Sequence, residues 1–359
     1  MRVAVASWLG STNLGDELIF AALVRKLSAR GARVVGISVD PAATRATHGV
    51  GAVSHADPAA IWALTGSADR VVFGGGGLLQ DETSPFNLPY HLVRLAAARA
   101  RGVPAAAIGG GVGRLDTTLG RLQVRAAVRG LIAVSVRDAE SVALLTGMGL
   151  RQPILAADLA LSLPLPTAAP EDRMVVSLRP WAERSRMPVQ LRWERGLDQE
   201  WFADAMAAAL DATARSSGLP THFVAFQRDR DERLHRRVAD RMTTPTTLSS
   251  PDVADVVDEV ARSRVVIGMR YHAGVAAVLA GRPTVLISYS DKVASLAREL
   301  GDGGVGLRWE PDDVAQIPKA VDEVLASSGH VVAARQRLRV REQGNDVVLD
   351  QLLAAQPGG

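Results

Sequence analysis

Cysteine is absent from the 359-residue chain. Its absence excludes disulfides, thiolate nucleophiles and thiolate metal sites together. Aromatic residues make up 4% of the chain, too few for the stacking platforms that single-stranded nucleic acid requires. The seven histidines include no His-x-x-x-His pair, so no zinc or other metal site is expected. No apolar run is long enough to span a bilayer. The opening Met1-Arg2-Val3-Ala4-Val5-Ala6-Ser7 turns polar by Ser11, and is expected to be a first strand rather than a signal peptide. A strong excess of one charge sign is also missing. Net charge is +3; residues 1–165 carry 16 Lys+Arg against 11 Asp+Glu, and the remainder 25 against 27. Neither half has the basic excess of a nucleic-acid binder. A cytoplasmic protein is expected, with contact to a membrane-bound substrate at the inner membrane face left open. Lysine is scarce: three, at 26, 292 and 319, against 38 arginines.

What the chain does have is 47% hydrophobic and 22% charged residues, ordinary for a soluble globular protein of two domains. Short apolar runs alternate with helical patterns from Val3 onward. The alternation pauses at Pro164, Pro166 and Pro170 and restarts at Met174. This predicts an α/β fold of two doubly wound, Rossmann-like domains facing a cleft, with ligands at the carboxyl ends of parallel strands. The boundaries read as 1–165 for the first domain and 171–330 for the second. A C-terminal helix over 331–359 is expected to pack back on the first. Residues 181–197, with Trp181, Arg184, Arg186, Arg192, Trp193 and Arg195, interrupt the pattern and read as a loop, either moving or packed on the surface.

Chemistry concentrates at strand ends. Met269-Arg270-Tyr271-His272 follows the apolar run Val265–Gly268 and opens a small-residue helix. Helix N-termini favour anions, arginine binds phosphate or carboxylate through two parallel bonds, and histidine moves protons near neutral pH. The same residues, taken alone, also fit a helix-capping arginine and a structural histidine. In Gly10-Ser11-Thr12-Asn13-Leu14-Gly15-Asp16-Glu17 two glycines are spaced as in a phosphate-binding loop. Asp16 and Glu17 stand where that loop needs Lys and Ser or Thr, which argues against nucleotide hydrolysis. Asn13, Asp16 or Glu17 could bind sugar hydroxyls or act as base; equally, Gly15 makes the turn and the carboxylates suit the helix start. Gly74-Gly75-Gly76-Gly77 lets backbone approach a ligand or a packing neighbour closely, while Leu79 breaks the dinucleotide fingerprint. Gly109–Gly113 fails likewise at Arg114. Arg137 ends a strand, Asp138 is placed as a helix N-cap, and Ser141 reads as surface. For Arg137 the choices are projection into the cleft or a surface salt bridge. Asp158, in an apolar segment, must be paired or at a strand end. Lys292 follows the strand Thr284–Ser288, where a rare lysine hints at a need for a compact ammonium.

In order and spacing, Gly10–Glu17, Phe73–Asp81, Ser135–Asp138, Ala157-Asp158, Met269–His272, Gly281-Arg282-Pro283 and Asp291-Lys292 together resemble the polysaccharide pyruvyl transferase family across roughly residues 3 to 300. The resemblance implies a fold similar to B-type glycosyltransferases. It also implies transfer of a pyruvyl group from phosphoenolpyruvate to a pair of sugar hydroxyls, usually as a cyclic ketal. Phosphoenolpyruvate is then a co-substrate, no cofactor or metal is expected, and the partner is a sugar or lipid-linked glycan. Carried over residue by residue, the family implicates Arg137, His272 and Lys292 as functional and Arg270 in the donor site. Asn13, Gly15, Glu17, Gly75, Gly76, Tyr271 and Ser290 complete the expected substrate-binding set, and Asp16 joins His272, Arg137 and Lys292 as catalytic. His272 suits a general acid towards the donor's methylene carbon, and Asp16 or Glu17 an acceptor of the hydroxyl proton. Two other readings remain: a B-type glycosyltransferase using a nucleotide sugar, and a non-catalytic binder of anions or glycans.

Overall fold

The computed structural model describes residues 1–81, 86–150, 152–181 and 200–356. The stretch 181–197 singled out above therefore lies outside the described residues, apart from Trp181. The chain divides into two compact units. The first comprises residues 1–11, 16–163 and 339–359; the second comprises 12–15 and 164–338.

In chain order the first unit contains β1 (Arg2–Leu9), α1 (Leu14–Ala29, whose first two residues belong to the second unit), β2 (Arg33–Ser38), α2 (Pro41–His48), β3 (Gly51–Ser54), α3 (Pro58–Ser67), β4 (Arg70–Gly74), α4 (Asn87–Ala100), β5 (Ala105–Gly110), α5 (Thr118–Val128), β6 (Val134–Val136), α6 (Ala139–Gly147) and β7 (Ile154–Leu155). The strands form one parallel sheet in the order β3-β2-β1-β4-β5-β6-β7. β1 and β4 are buried almost throughout, which is why they read as largely apolar runs. One face packs Ile19, Leu23 and Leu27 of α1; the other packs Leu88 and Leu95 of α4 and Val124 and Val128 of α5. The strand expected over Ile154–Leu161 stops after two residues. Asp158 accepts the Ala160 N–H and turns the chain into a short 3-10 helix, Leu159–Ser162.

The second unit contains β8 (Met174–Ser177), α7 (Glu200–Ser217), β9 (Thr221–Val224), α8 (Arg228–Ala239), β10 (Thr246–Ser249), α9 (Val256–Ala261), β11 (Val265–Gly268), α10 (Tyr271–Ala280), β12 (Thr284–Ser288), α11 (Asp291–Leu300), β13 (Gly304–Arg308), α12 (Pro311–Val314), α13 (Ile317–Ala326) and most of α14 (Gly329–Glu342). Its parallel sheet runs β10-β9-β8-β11-β12-β13. Each sheet thus starts in its middle, adds two strands outward on one side, then crosses back beside its first strand. That reversal leaves a crevice at the carboxyl ends of the two central strands, where open α/β sheets bind ligands. The central pair is β1 and β4 in the first unit, and β8 and β11 in the second.

The single closing helix expected over 331–359 is two helices, α14 and α15 (Gly344–Ala354). From Arg339 onward the chain belongs to the first unit. Val348, Leu349 and Leu352 enter that unit's core. Lys26 is held between Glu342 at 3.1 Å and Asp346 at 2.7 Å. The break between the helices seats Asn345, fully buried, which bonds the Ala157 carbonyl at 3.0 Å and the Ser135 hydroxyl at 2.7 Å.

Candidate active site

In the first unit, the crevice between β1 and β4 is walled by glycine. Gly75 and Gly76 have φ of +55° and +71°. A side chain at Gly75 would place its Cβ 2.1 Å from Ile19 Cγ2, so this turn fits against α1 only as glycine. A Cβ at Gly76 would lie 3.0 Å from Asp16 Oδ1, which puts the Asp16 carboxylate over the turn. Of the two readings of the tetraglycine segment, close packing holds at Gly75. Glu17 is a correction. It is 6% exposed, with one oxygen accepting the Gly10 N–H at 2.8 Å and the other 2.7 Å from His48 Nε2. This carboxylate fastens the first loop to α2.

Arg137 fits neither alternative read from the sequence. It is 4% exposed, and its Nη1 donates to Asp158 Oδ2 at 3.1 Å. The guanidinium lies against Gly111, where a Cβ would approach its Nε to 3.0 Å. The salt bridge is therefore buried, and Asp158 is paired, as a carboxylate at 2% exposure must be. Asp138 caps α6 by accepting the Ser141 N–H at 2.8 Å. Ser141 is fully buried rather than at the surface, because its hydroxyl accepts the Val112 N–H at 2.8 Å.

In the second unit, the crevice between β8 and β11 collects cations. β11 ends at Gly268, and Arg270 occupies the N-cap position of α10 without capping it. Its Nε instead donates to both oxygens of Asp231, at 3.1 and 3.0 Å, and its Nη2 also binds Oδ1. Asp231, on the first turn of α8 and fully buried, accepts the N–H groups of Phe226 at 3.1 Å and Gln227 at 2.8 Å through Oδ2. The arginine is thus fixed in a forked, charge-assisted pair. β8 ends at Ser177, and Arg179 follows it at 8% exposure. Arg179 donates to the Tyr289 hydroxyl, and its guanidinium lies 4.4 Å from the centre of that ring. Trp181 lies against Tyr289 with ring centres 4.9 Å apart and the planes tilted by 50°. Among the described residues, Arg179 Nε has no acceptor.

Arg179, Arg230, Arg270 and Lys292 all act on this crevice, with the Asp231 carboxylate buried among them and Asp229 also acting on Arg230. The electrostatics show the excess. Burial, then Arg270 and Arg179, lower Arg230 to about 10. Burial alone would raise the Tyr289 hydroxyl, but Arg179, Lys292 and Arg270 outweigh it and bring it down to about 7. Lys292 itself is exposed, on the first turn of α11, where the helix dipole disfavours a cation. Helix stability therefore gives no reason for it. Beside it, Ser290 Oγ is buried and has no partner among the described residues. His235, buried beneath, is lowered by burial to about 4; its Nε2 contacts the Leu178 backbone and holds the strand end that presents Arg179.

His272, on the first turn of α10, packs edge-on to Tyr271. The segment 12–15 belongs to this unit and lies directly over it. Leu14 N–H donates to the Phe226 carbonyl at 2.8 Å, and Asn13 bridges Gln227. Asn13 Oδ1 accepts the Gly15 N–H at 3.3 Å. A Cβ at Gly15 would sit 2.0 Å from His272 Nδ1, so the backbone there is pressed against the imidazole.

The chain matches the family of polysaccharide pyruvyl transferases over residues 13–291, a span that contains the second-unit crevice between β8 and β11. It belongs to that family. It is accordingly a transferase of polysaccharide biosynthesis. No curated protein is detectably similar in sequence. Solved structures share the fold across nearly whole chains. Anabaena HepE, solved with UDP and glucose, is 16% identical with a TM-score of 0.62, covering 99% of this chain and 100% of its own. The UDP-GlcNAc 2-epimerase of Neisseria meningitidis, solved with UDP-GlcNAc, is 10% identical with a TM-score of 0.61 at 99% and 100% coverage. The spinosyn forosaminyltransferase SpnP is 15% identical with a TM-score of 0.58, again at 99% and 100%. At these identities the likeness shows the fold, that of two parallel-sheet α/β units like those of B-type glycosyltransferases.

Of the residues expected from the sequence, the second unit brings together Asn13, Gly15, Arg270, Tyr271, His272, Ser290 and Lys292. The first brings Asp16 to Gly76, and Arg137 to Asp158. Sequence reasoning missed Arg179, Arg230, Asp231 and Tyr289 in this transferase. The signal for two of them was present: Arg179 and Tyr289 each follow an apolar strand run, as Arg270 does. A Gly15→Ala variant is expected to displace the His272 ring and lower turnover at least about tenfold, with little change in melting temperature. Unchanged turnover and an unshifted His272 imidazole NMR signal would show that this contact is not needed.

Proposed function

We propose that this protein transfers the pyruvyl group of phosphoenolpyruvate to two hydroxyls of a sugar in a glycan or glycan precursor, releasing phosphate and closing a ketal. The observation that carries the reading is the second-unit crevice, where Arg270 is fixed by Asp231 and Arg179 by Tyr289, with Arg230 and Lys292 acting beside them. A donor with both a carboxylate and a phosphate requires several fixed cations held in place before it arrives. Arg270, pinned by Asp231, and Arg179, stacked on Tyr289, are assigned to those two groups, with Arg230 and Lys292 completing the charge. Arg137, held by Asp158 in the first unit, is not assigned to either donor group.

His272 is assigned as general acid. It donates a proton to the methylene carbon of phosphoenolpyruvate, which becomes methyl as C2 turns oxocarbenium-like and electrophilic. A sugar hydroxyl bonds to C2 and loses its proton to a base, for which Asp16 is the assigned group. The C2–O bond to phosphate breaks, and the neighbouring hydroxyl bonds C2 to close the ring, its proton going to the departing phosphate while the proton taken by Asp16 replaces the one His272 gave. The net change is one pyruvate ketal and one inorganic phosphate. The UDP ligands of the two structural neighbours above favour one other reading, transfer from a nucleotide sugar on the same fold. Phosphoenolpyruvate and nucleotide sugars should therefore be titrated in parallel.

Two outcomes follow. In calorimetric titrations phosphoenolpyruvate is expected to bind wild type, and Arg270→Ala to lose roughly tenfold or more of that affinity, on the order of 1.4 kcal/mol. Tight binding of a nucleotide sugar with none of phosphoenolpyruvate would overturn pyruvyl transfer. The second outcome concerns pH. Above about 7 Tyr289 is the phenolate and competes with a bound anion for Arg179; below it the neutral hydroxyl leaves Arg179 to the ligand. Affinity should therefore fall as pH rises through about 7 in wild type more steeply than in Tyr289→Phe, the donor's own phosphate titration being common to both. Parallel profiles would remove Tyr289 from the donor site.

A further inference from the structure

Helix α4 presents the face that solvent would not select. Its buried side carries His91 and Arg94 beside Leu88 and Leu95, while Pro89, Val93, Ala96 and Ala100 are exposed at helical spacing. On the neighbouring α5, Leu119, Leu122 and Ala126 form a second exposed apolar row, with Leu119 at 64% and Leu122 at 55%. A groove of about 350 Å³ lies between the two helices, floored by Leu95, Val103 and Ala105 and edged by Val93, Ala126 and Leu131. Nothing in the core requires these side chains, and a contiguous exposed apolar face of this kind marks an interaction surface.

The charge around the face is one-sided. Arg121, Arg125 and Arg129 are exposed at four-residue spacing along α5, beside Leu122, and Arg99 edges the groove from α4. Neither helix contains an acidic residue. Across residues 86–132 seven arginines stand against one acid, Asp116, in a chain whose net charge is only +3. A second copy of the chain is a poor occupant. A face with no acidic residue on either helix offers a second copy's arginine row no carboxylate to pair with. Apolar side chains flanked by arginine match the boundary between acyl chains and anionic headgroups.

We propose that the face built by α4 and α5 docks on a bilayer surface containing anionic phospholipid, with Val93, Leu119 and Leu122 entering the headgroup layer and the arginine row pairing with phosphates. Such docking would hold the enzyme beside membrane-borne glycan. It does not depend on which donor the second unit binds.

The test is co-sedimentation of the full chain with vesicles of phosphatidylcholine alone and of phosphatidylcholine with roughly a third phosphatidylglycerol. Binding is expected only to the anionic vesicles and should weaken as salt is raised. The double variant Arg125→Glu, Arg129→Glu should weaken it at least about tenfold, and Val93→Ser, Leu122→Ser comparably. All four side chains are exposed, so circular dichroism should match wild type. Absence of binding to anionic vesicles, or equal binding by the charge-reversed variant, would overturn the proposal. So would a concentration-dependent dimer, broken by Val93→Ser, Leu122→Ser, in a protein that ignores vesicles. That result would assign the face to a second copy.

Discussion

The pair between Arg270 and Asp231 organises the second unit. Asp231 accepts two backbone N–H groups at the end of β9 and three contacts from one guanidinium. It thereby ties the start of α8 to the start of α10 across the centre of the sheet. The same backbone, at Phe226 and Gln227, receives Leu14 and Asn13 and so sets Gly15 against His272. Removing one member of a buried pair leaves the other charge uncompensated, at about 3–5 kcal/mol. The arrangement is therefore rigid, and an arginine that would otherwise sweep through solvent is fixed where an anion can use its remaining donors.

The two units share one strand order and use it differently. In the first, the crevice between the central strands is filled by a glycine turn packed on Ile19, and the nearby arginine is neutralised by Asp158. In the second, the equivalent crevice keeps an excess of positive charge, large enough to bring a buried tyrosine hydroxyl to about 7. Electrostatics rather than topology separates their roles. The closing helices serve the first unit through Lys26, Asn345 and the Arg70 side chain, whose Nε donates to the Leu352 carbonyl at 2.7 Å.

Much of the fold was legible because parallel strands buried on both faces leave largely apolar runs, as at Val3–Trp8 and Val265–Gly268. Strands without such runs went unread. β10, Thr246–Ser249, lies at the edge of its sheet with no fully buried position, and β13 alternates glycine with Val305 and Leu307. At the site, Arg270 and His272 stood out because an Arg-x-His at a strand end is chemically conspicuous. Arg179 is one of 38 arginines and gains meaning only from Tyr289, 110 positions away. Asp231 sits in Arg228–Ala239, a helix dense in charges of both signs, where sequence alone cannot tell the one buried carboxylate from its exposed neighbours. Glu17 errs the other way: its local sequence suggests a substrate carboxylate, and His48, 31 positions on, makes it structural.

The central claim is that Asp231 holds Arg270 ready for an anionic donor. It is tested most directly by the phosphoenolpyruvate affinity of Asp231→Asn, measured by calorimetry. Asparagine keeps the shape and can still accept the Phe226 and Gln227 N–H groups, so the fold should survive, as circular dichroism would verify. The account predicts an affinity at least about tenfold weaker than wild type. Unchanged affinity in a folded variant would contradict it.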